Sequence, residues 1–204
     1  MLKDMVLDIF GASWPTIILC SIILCSIRIT YLIVNKQKFI FYKELTYLLF
    51  VVYILSLFYI VTFQDDNIGT SNFIPFKEIT RYDVTSRIFF KNIIGNILLF
   101  MPFGLFVTAY LKSKTVYPGL IITFISSVSV EVIQLMIGRT FDVDDIILNV
   151  LGGVIGSLIF IILDNLRDRL PNFLNKAWFM NLLMILLSLG VIVYFTNLHV
   201  YIFG

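Results

Sequence analysis

A chain of 204 residues that is 59% hydrophobic, 16% aromatic and only 14% charged is too apolar for a soluble globular domain. Its formal net charge of +2 supplies no global attraction for nucleic acid, and no basic cluster alternates with stacking aromatics in a polar region. The composition is that of an integral membrane protein, and nucleic acid is set aside as a partner.

About twenty apolar residues cross a hydrocarbon core. The stretches that qualify are Pro15 to Val34, Leu45 to Phe63, Asn92 to Leu111, Tyr117 to Ile137, Ile146 to Leu163 and Ala177 to Thr196. They predict an all-α membrane protein, a compact bundle of about six transmembrane helices with one long outer loop, in a single domain over residues 1–204. The first stretch reads as a retained span, because Lys3 is offset by Asp4 and Asp8 and no small-x-small cleavage site follows. Cys20 and Cys25 fall on different faces of that helix and serve as small apolar residues, with no redox role. Arg28 lies in its last two turns, where a long side chain snorkels to the interface.

Loop charges set the expected orientation. Arg28, Lys36, Lys38, Lys43, Lys112, Lys114, Arg167, Arg169 and Lys176 place nine of the 15 basic residues on one side, which is therefore expected to be cytoplasmic. Both termini are then extracytoplasmic. Asp4, Asp8, Asp65, Asp66, Glu78, Asp83, Asp142, Asp144 and Asp145 collect on the opposite side, although the loop from Gln64 to Lys91 carries four basic residues of its own. That loop opens with the turn-forming QDDNIGTSN and continues into NFIPFKEI, whose aromatics, proline and charges suit an interfacial or re-entrant segment or an ordinary anchored loop.

Polar residues concentrate from the fourth span into the fifth. Ser127, Glu131, Gln134 and Gly138 recur at helical spacing on one face. Glu131 is six residues from Ile137, about 9 Å below the outer end at about 1.5 Å rise per residue. Asp142, Asp145, Asn149, Gly152 and Gly156 share a face if the next helix begins near Asp142, and Gly152-x-x-x-Gly156 permits close helix approach. Asn92 and Asn96 lie a turn apart at the outer end of the third span, preceded by Arg87 and Lys91, and Pro102 removes a backbone donor lower down. The plainer reading is a structural network: Arg139 pairs with Glu131 or Asp142, Asn96 and Asn149 bond across helices, and the acids cap the fifth helix. Intramembrane polar contacts average only about 0.6 kcal/mol, so a buried acid is a poor source of stability alone, and a functional cleft is the favoured expectation.

The segments NFIPFKEI, NIIGNILLFMPFG, SVSVEVIQ and RTFDVDDIILNVLGGVIG, within residues 72–156, resemble in order and spacing the VanZ-like family of bacterial membrane proteins, whose founding member is associated with teicoplanin resistance. The resemblance places the family's recurrent polar residues on Asn72, Asn92, Asn96, Glu131, Gln134, Arg139, Asp142, Asp145 and Asn149. It implies a multi-pass protein of the bacterial cell membrane tied to tolerance of teicoplanin-type glycopeptides, and it supplies no agreed reaction.

Two mechanisms follow from the residues. In the first, an outward-facing cleft of Asn92, Asn96, Glu131, Gln134, Arg139, Asp142, Asp145 and Asn149 binds a glycopeptide drug, a lipid headgroup or a cell-wall precursor. Arg139 takes an anionic group there and the acids take a cation or amine. In the second, an intramembrane enzyme modifies a lipid-linked or headgroup substrate with Glu131 as general acid or base, and Asp142 and Asp145 leave a divalent cation such as Mg²⁺ open as a cofactor. The chain has no His-x-x-x-His pair, nucleophile elbow or phosphate-binding Gly-Lys-Ser loop, and its one histidine, His199, is near the C-terminus and not expected to be catalytic.

Overall fold

The computed structural model describes residues 2–63, 71–81, 89–167, 169, 171, 173–174 and 176–195. Side chains are described from residue 14 to 189, apart from those at 60–70, 82–88, 91, 168, 170, 172 and 175. The Asp4 and Asp8 side chains, Asp65, Asp66, Asp83, Arg87, the Lys91 side chain and His199 therefore lie outside the described residues.

The elements are α1 (Leu2–Val34), α2 (Phe41–Phe63), the short α3 (Lys77–Arg81), α4 (Gly95–Leu111), α5 (Tyr117–Met136), α6 (Val143–Arg167) and α7 (Ala177–Phe195). A π-helical turn, Phe90–Ile94, leads directly into α4. Helices are the economical answer to this sequence, because hydrocarbon offers backbone N–H and C=O groups no partner outside the segment. Five stretches are long and apolar enough to cross a membrane: Trp14–Val34, Phe41–Tyr59, Asn92–Leu111, Tyr117–Met136 and Val143–Arg167. The sixth expected span is also helical, and its described side chains form the shorter apolar stretch Ala177–Leu189. The fold is that of an all-α membrane protein, with no strand among the described residues.

The helices fall into two compact units, Met1–Ile60 with Leu170–Gly204, and Val61–Arg169. In the first, only 11% of the α1 span and 6% of the α2 span is buried. Its polar ties are the Arg28–Glu44 ion pair and the backbone N–H of Tyr42, which donates to Asn181 Oδ1 on α7 at 2.9 Å. Arg28 is thus paired across the α1–α2 turn, where the sequence suggested only an interfacial anchor.

In the second unit, 39% of the α6 span is buried against 28% for α4 and α5, and α6 packs against both. Lipid tails are as apolar as leucine, so close backbone approach and interhelical hydrogen bonds must hold such helices together. A Cβ on Gly152 or Gly156 would overlap the carbonyl oxygens of Ile97 and Met101 on α4, and one on Gly104 would overlap the backbone of Gly153. On the α5 side, Gly153 abuts Thr123 and Gly119 abuts Ser157. The Thr108 hydroxyl lies 2.8 Å from both Ser157 Oγ and the Gly104 carbonyl and shares its single proton between them, and Ser157 donates to the Gly153 carbonyl at 2.8 Å.

Candidate functional site at the head of the sixth helix

The site is built where α5 ends and α6 begins. After Met136 the chain turns through Ile137 and Gly138, whose φ of +85° is the left-handed conformation that a residue without Cβ adopts freely. The Gly138 N–H donates to the Leu135 carbonyl at 3.2 Å and the Arg139 N–H to the Gln134 carbonyl at 2.9 Å, which completes a Schellman stop. Gly138 therefore terminates the helix and does not extend the polar face expected of it. That face consists of Thr123, Ser127, Glu131 and Gln134, all buried.

The returning chain is fastened to this face. Glu131, 1% exposed, accepts the backbone N–H of Asp142 on Oε2 at 2.8 Å. Asp142 in turn is the N-cap of α6, its Oδ1 accepting the Asp144 N–H at 2.9 Å. It stands one residue ahead of the helix, which begins at Val143, near Asp142 as the sequence suggests. The same Oδ1 accepts Nδ2 of Asn72 at 2.9 Å. Burial raises Asp142 above the usual aspartate range, while those two hydrogen bonds act the other way.

Asn72 makes the third strand of contacts. Its N–H donates to the Phe141 carbonyl at 2.8 Å and its carbonyl accepts the Val143 N–H at 3.0 Å, forming an isolated parallel bridge with Asp142. Ser71 Oγ accepts the Phe141 N–H at 3.1 Å, and the Phe73 and Phe141 rings stack at 5.2 Å. Asp144, also 1% exposed, then receives the start of α3: Oδ1 accepts the Phe76 N–H at 2.5 Å, and Oδ2 accepts those of Glu78 at 2.7 Å and Ile79 at 3.2 Å. Residues 71–81 of the long loop therefore form a turn and a capped short helix, docked on the head of α6.

Deeper in the unit, Asn96 on α4 donates to Asp145 Oδ1 at 2.5 Å, and Asn149 donates to Ser127 Oγ at 2.9 Å. Asn149 Oδ1 and Thr123 Oγ1 are buried with no hydrogen-bond partner among the described residues. Arg139 lies close enough to both Glu131 and Asp145 for its charge to act on each, as do the neighbouring acids. Asn92 is half-buried in the π turn, whose i→i+5 winding alters its angular spacing from Asn96 relative to an α-helix. No group of three or more His, Cys, Asp or Glu among the described residues is placed to hold a metal ion.

Of the residues expected at the site, Glu131 and Asp142 meet directly, as do Asn96 and Asp145, and Asn149 joins the α5 face through Ser127. Gln134 is buried one turn beyond Glu131. The role of Asp144 is not visible in the sequence: its place in the acidic run signals a helix start, but nothing in that run distinguishes the cap of α6 from the cap of another helix.

A multi-pass helical membrane protein with a carboxylate-rich network at the head of α6 is the class this geometry defines. Residues 45–164, more than half of the chain, match the family model described as VanZ/LLP1, and the chain belongs to that family. It is also similar to Protein VanZ of Enterococcus faecium, with 33% identity over 73 residues, 35% of this chain and 45% of that protein. The chain thus matches about half the length of this relative. No solved structure matches the chain.

Proposed function

We propose that the head of α6 forms an outward-facing polar cleft that binds an envelope ligand, and that the protein contributes in this way to tolerance of teicoplanin-type glycopeptides in the bacterial cell membrane. The observation that carries the reading is the division of labour among the acids. Glu131, Asp142 and Asp144 each accept backbone N–H groups there, Asp145 accepts the Asn96 side chain instead, and the charge of Arg139 acts on Glu131 and Asp145. A carboxylate at the centre of a spanning helix costs roughly 2.5 to 3.5 kcal/mol on insertion scales, and Glu131, buried on α5 more than a turn from its end, carries part of that cost. Two acids and a guanidinium suit a ligand carrying both an amine and a phosphate or carboxylate, a description that fits a glycopeptide, a lipid headgroup or a cell-wall precursor. The outward assignment rests on the excess of lysine and arginine on the other side.

The test is the inhibitory concentration of teicoplanin and of vancomycin for susceptible cells making the wild type, Glu131→Gln or Asp145→Asn at matched membrane levels. Teicoplanin protection by the wild type that is lost in both variants is expected. Protection that survives both changes would make the cluster purely structural.

A second reading gives Glu131 the role of general acid or base on a lipid-linked or headgroup substrate. It is favoured by the near-complete burial of that carboxyl beside Asp142. Under this reading, purified protein converts such a substrate and Glu131→Gln binds it without conversion, as followed by mass spectrometry of the lipids.

A further inference from the structure

A second charged site lies in the other unit, where α1 turns into α2. Arg28 donates from Nε to Glu44 Oε2 at 2.7 Å and from Nη2 to Oε1 at 3.1 Å, a bidentate pair that uses two of its five N–H donors. The guanidinium is also placed over the rings of Tyr31 at 5.5 Å and Tyr47 at 5.0 Å. These contacts hold the arginine in one position at the wall of a cleft of about 360 Å³, which Lys38 and Lys43 also line. Arg28, Lys38 and Lys43 against Glu44 leave this cleft with a net charge of +2.

Leu32 and Gln37 are shared between this cleft and a second one of about 240 Å³, whose remaining walls are Ile29, Ile33 and Phe39. A cationic chamber and an apolar groove thus meet along a common wall. Ile33 and Phe39 are exposed, so the groove opens toward the surroundings of the helix.

We propose that these two clefts together hold one anionic phospholipid, with its phosphate among Arg28, Lys38 and Lys43 and the start of an acyl chain along Ile29, Ile33 and Phe39. Glu44 orients Arg28 and offsets part of the positive charge of the cleft. The apolar groove sets the ligand apart from a free phosphate, because only an amphiphile uses both chambers. Basic pockets beside spanning helices recognise acidic headgroups through this combination of charge and depth. The site shares no residue with the head of α6, so the two proposals stand or fall separately.

Native mass spectrometry of the purified full chain, titrated with phosphatidylglycerol, phosphatidylethanolamine, deacylated glycerophosphoglycerol and inorganic phosphate, tests this. Phosphatidylglycerol is expected to bind in preference to the other three, and Lys38→Gln/Lys43→Gln should weaken it by about thirtyfold, five- to sixfold per lysine. Both lysines are exposed, so the variant should melt like the wild type and its binding loss is not a folding defect. Lys112→Gln/Lys114→Gln, in the loop after α4, should bind as the wild type does. Equal weakening in both double variants, unchanged binding in Lys38→Gln/Lys43→Gln, or phosphate and the deacylated headgroup binding as tightly as the lipid would each overturn the proposal.

Discussion

Asp144 is the residue on which the docking of the long loop turns. Its two oxygens accept three backbone N–H groups at the start of α3, which are among those that a helix cannot satisfy by itself. Hydrogen bonds to a charged group are worth roughly 1.5 to 3 kcal/mol, and leaving buried donors unpaired adds a desolvation cost. Asp144→Ala should therefore release α3 while α5 and α6 stay folded, and Asp144→Asn should retain part of the contact. Hydrogen exchange at Phe76, Glu78 and Ile79 measures this directly, with fast exchange expected in Asp144→Ala and protection equal to the wild type contradicting the assignment. The acidic run at 142–145 is legible in the sequence as a polar cluster, but its internal division is not. Spacing alone cannot show that Asp142 caps its own helix, that Asp144 caps one more than sixty residues earlier, and that Asp145 turns to Asn96. Those roles depend on a parallel bridge between Asn72 and Asp142, a long-range contact with no local periodic signal.

Among the elements, α6 owes its central position to its small residues. Gly152 and Gly156 bring its backbone against the carbonyls of Ile97 and Met101, and Gly104 meets Gly153 in the same way. The glycine spacing was readable from the sequence, as were the spans themselves, because hydrophobic length and small-residue periodicity are local properties. Helix ends were less so: α6 starts at Val143, three residues before its apolar run, because Asp142 and the acidic first turn extend it. Gly152→Ala and Gly156→Ala should each cost about 1 to 3 kcal/mol, since the obstructing atoms are backbone and cannot swing aside. Gly95→Ala is the matched control. Its added methyl would meet only the Phe90 carbonyl oxygen at 3.9 Å, an ordinary contact, and alanine favours the helix by up to about 1 kcal/mol. Thermal unfolding in detergent should therefore show lower midpoints for the first two variants and no loss for the third. A drop in all three would mean that α6 is not especially close to α4.

For the molecule as a whole, the decisive question is which side of the membrane receives the head of α6. The two ends of α5 answer it together, because its twenty residues span about 30 Å, the thickness of a hydrocarbon core. The loop carrying Lys112 and Lys114 is at one end, and the Gly138 turn, Asp142 and the docked α3 are at the other. Positive charge is favoured on the cytoplasmic side, and the succession of spans in the sequence leads to the expectation that nine of the 15 basic residues share the side of Lys112. Single cysteines at Lys77 in α3 and Lys114, both exposed, in a chain with Cys20 and Cys25 replaced by serine, report the two sides independently. A membrane-impermeant maleimide should label Lys77→Cys in intact cells and Lys114→Cys only after permeabilisation. The reverse pattern would put Glu131, Asp145 and Arg139 within reach of the cytoplasm, where a glycopeptide acting on the cell wall does not reach them. Labelling of both positions in intact cells would mean that α5 does not cross the bilayer, against its length and its mean hydropathy of 1.8. The outward pattern leaves the cluster facing the compartment in which cell-wall precursors and glycopeptides meet, as the proposed cleft requires.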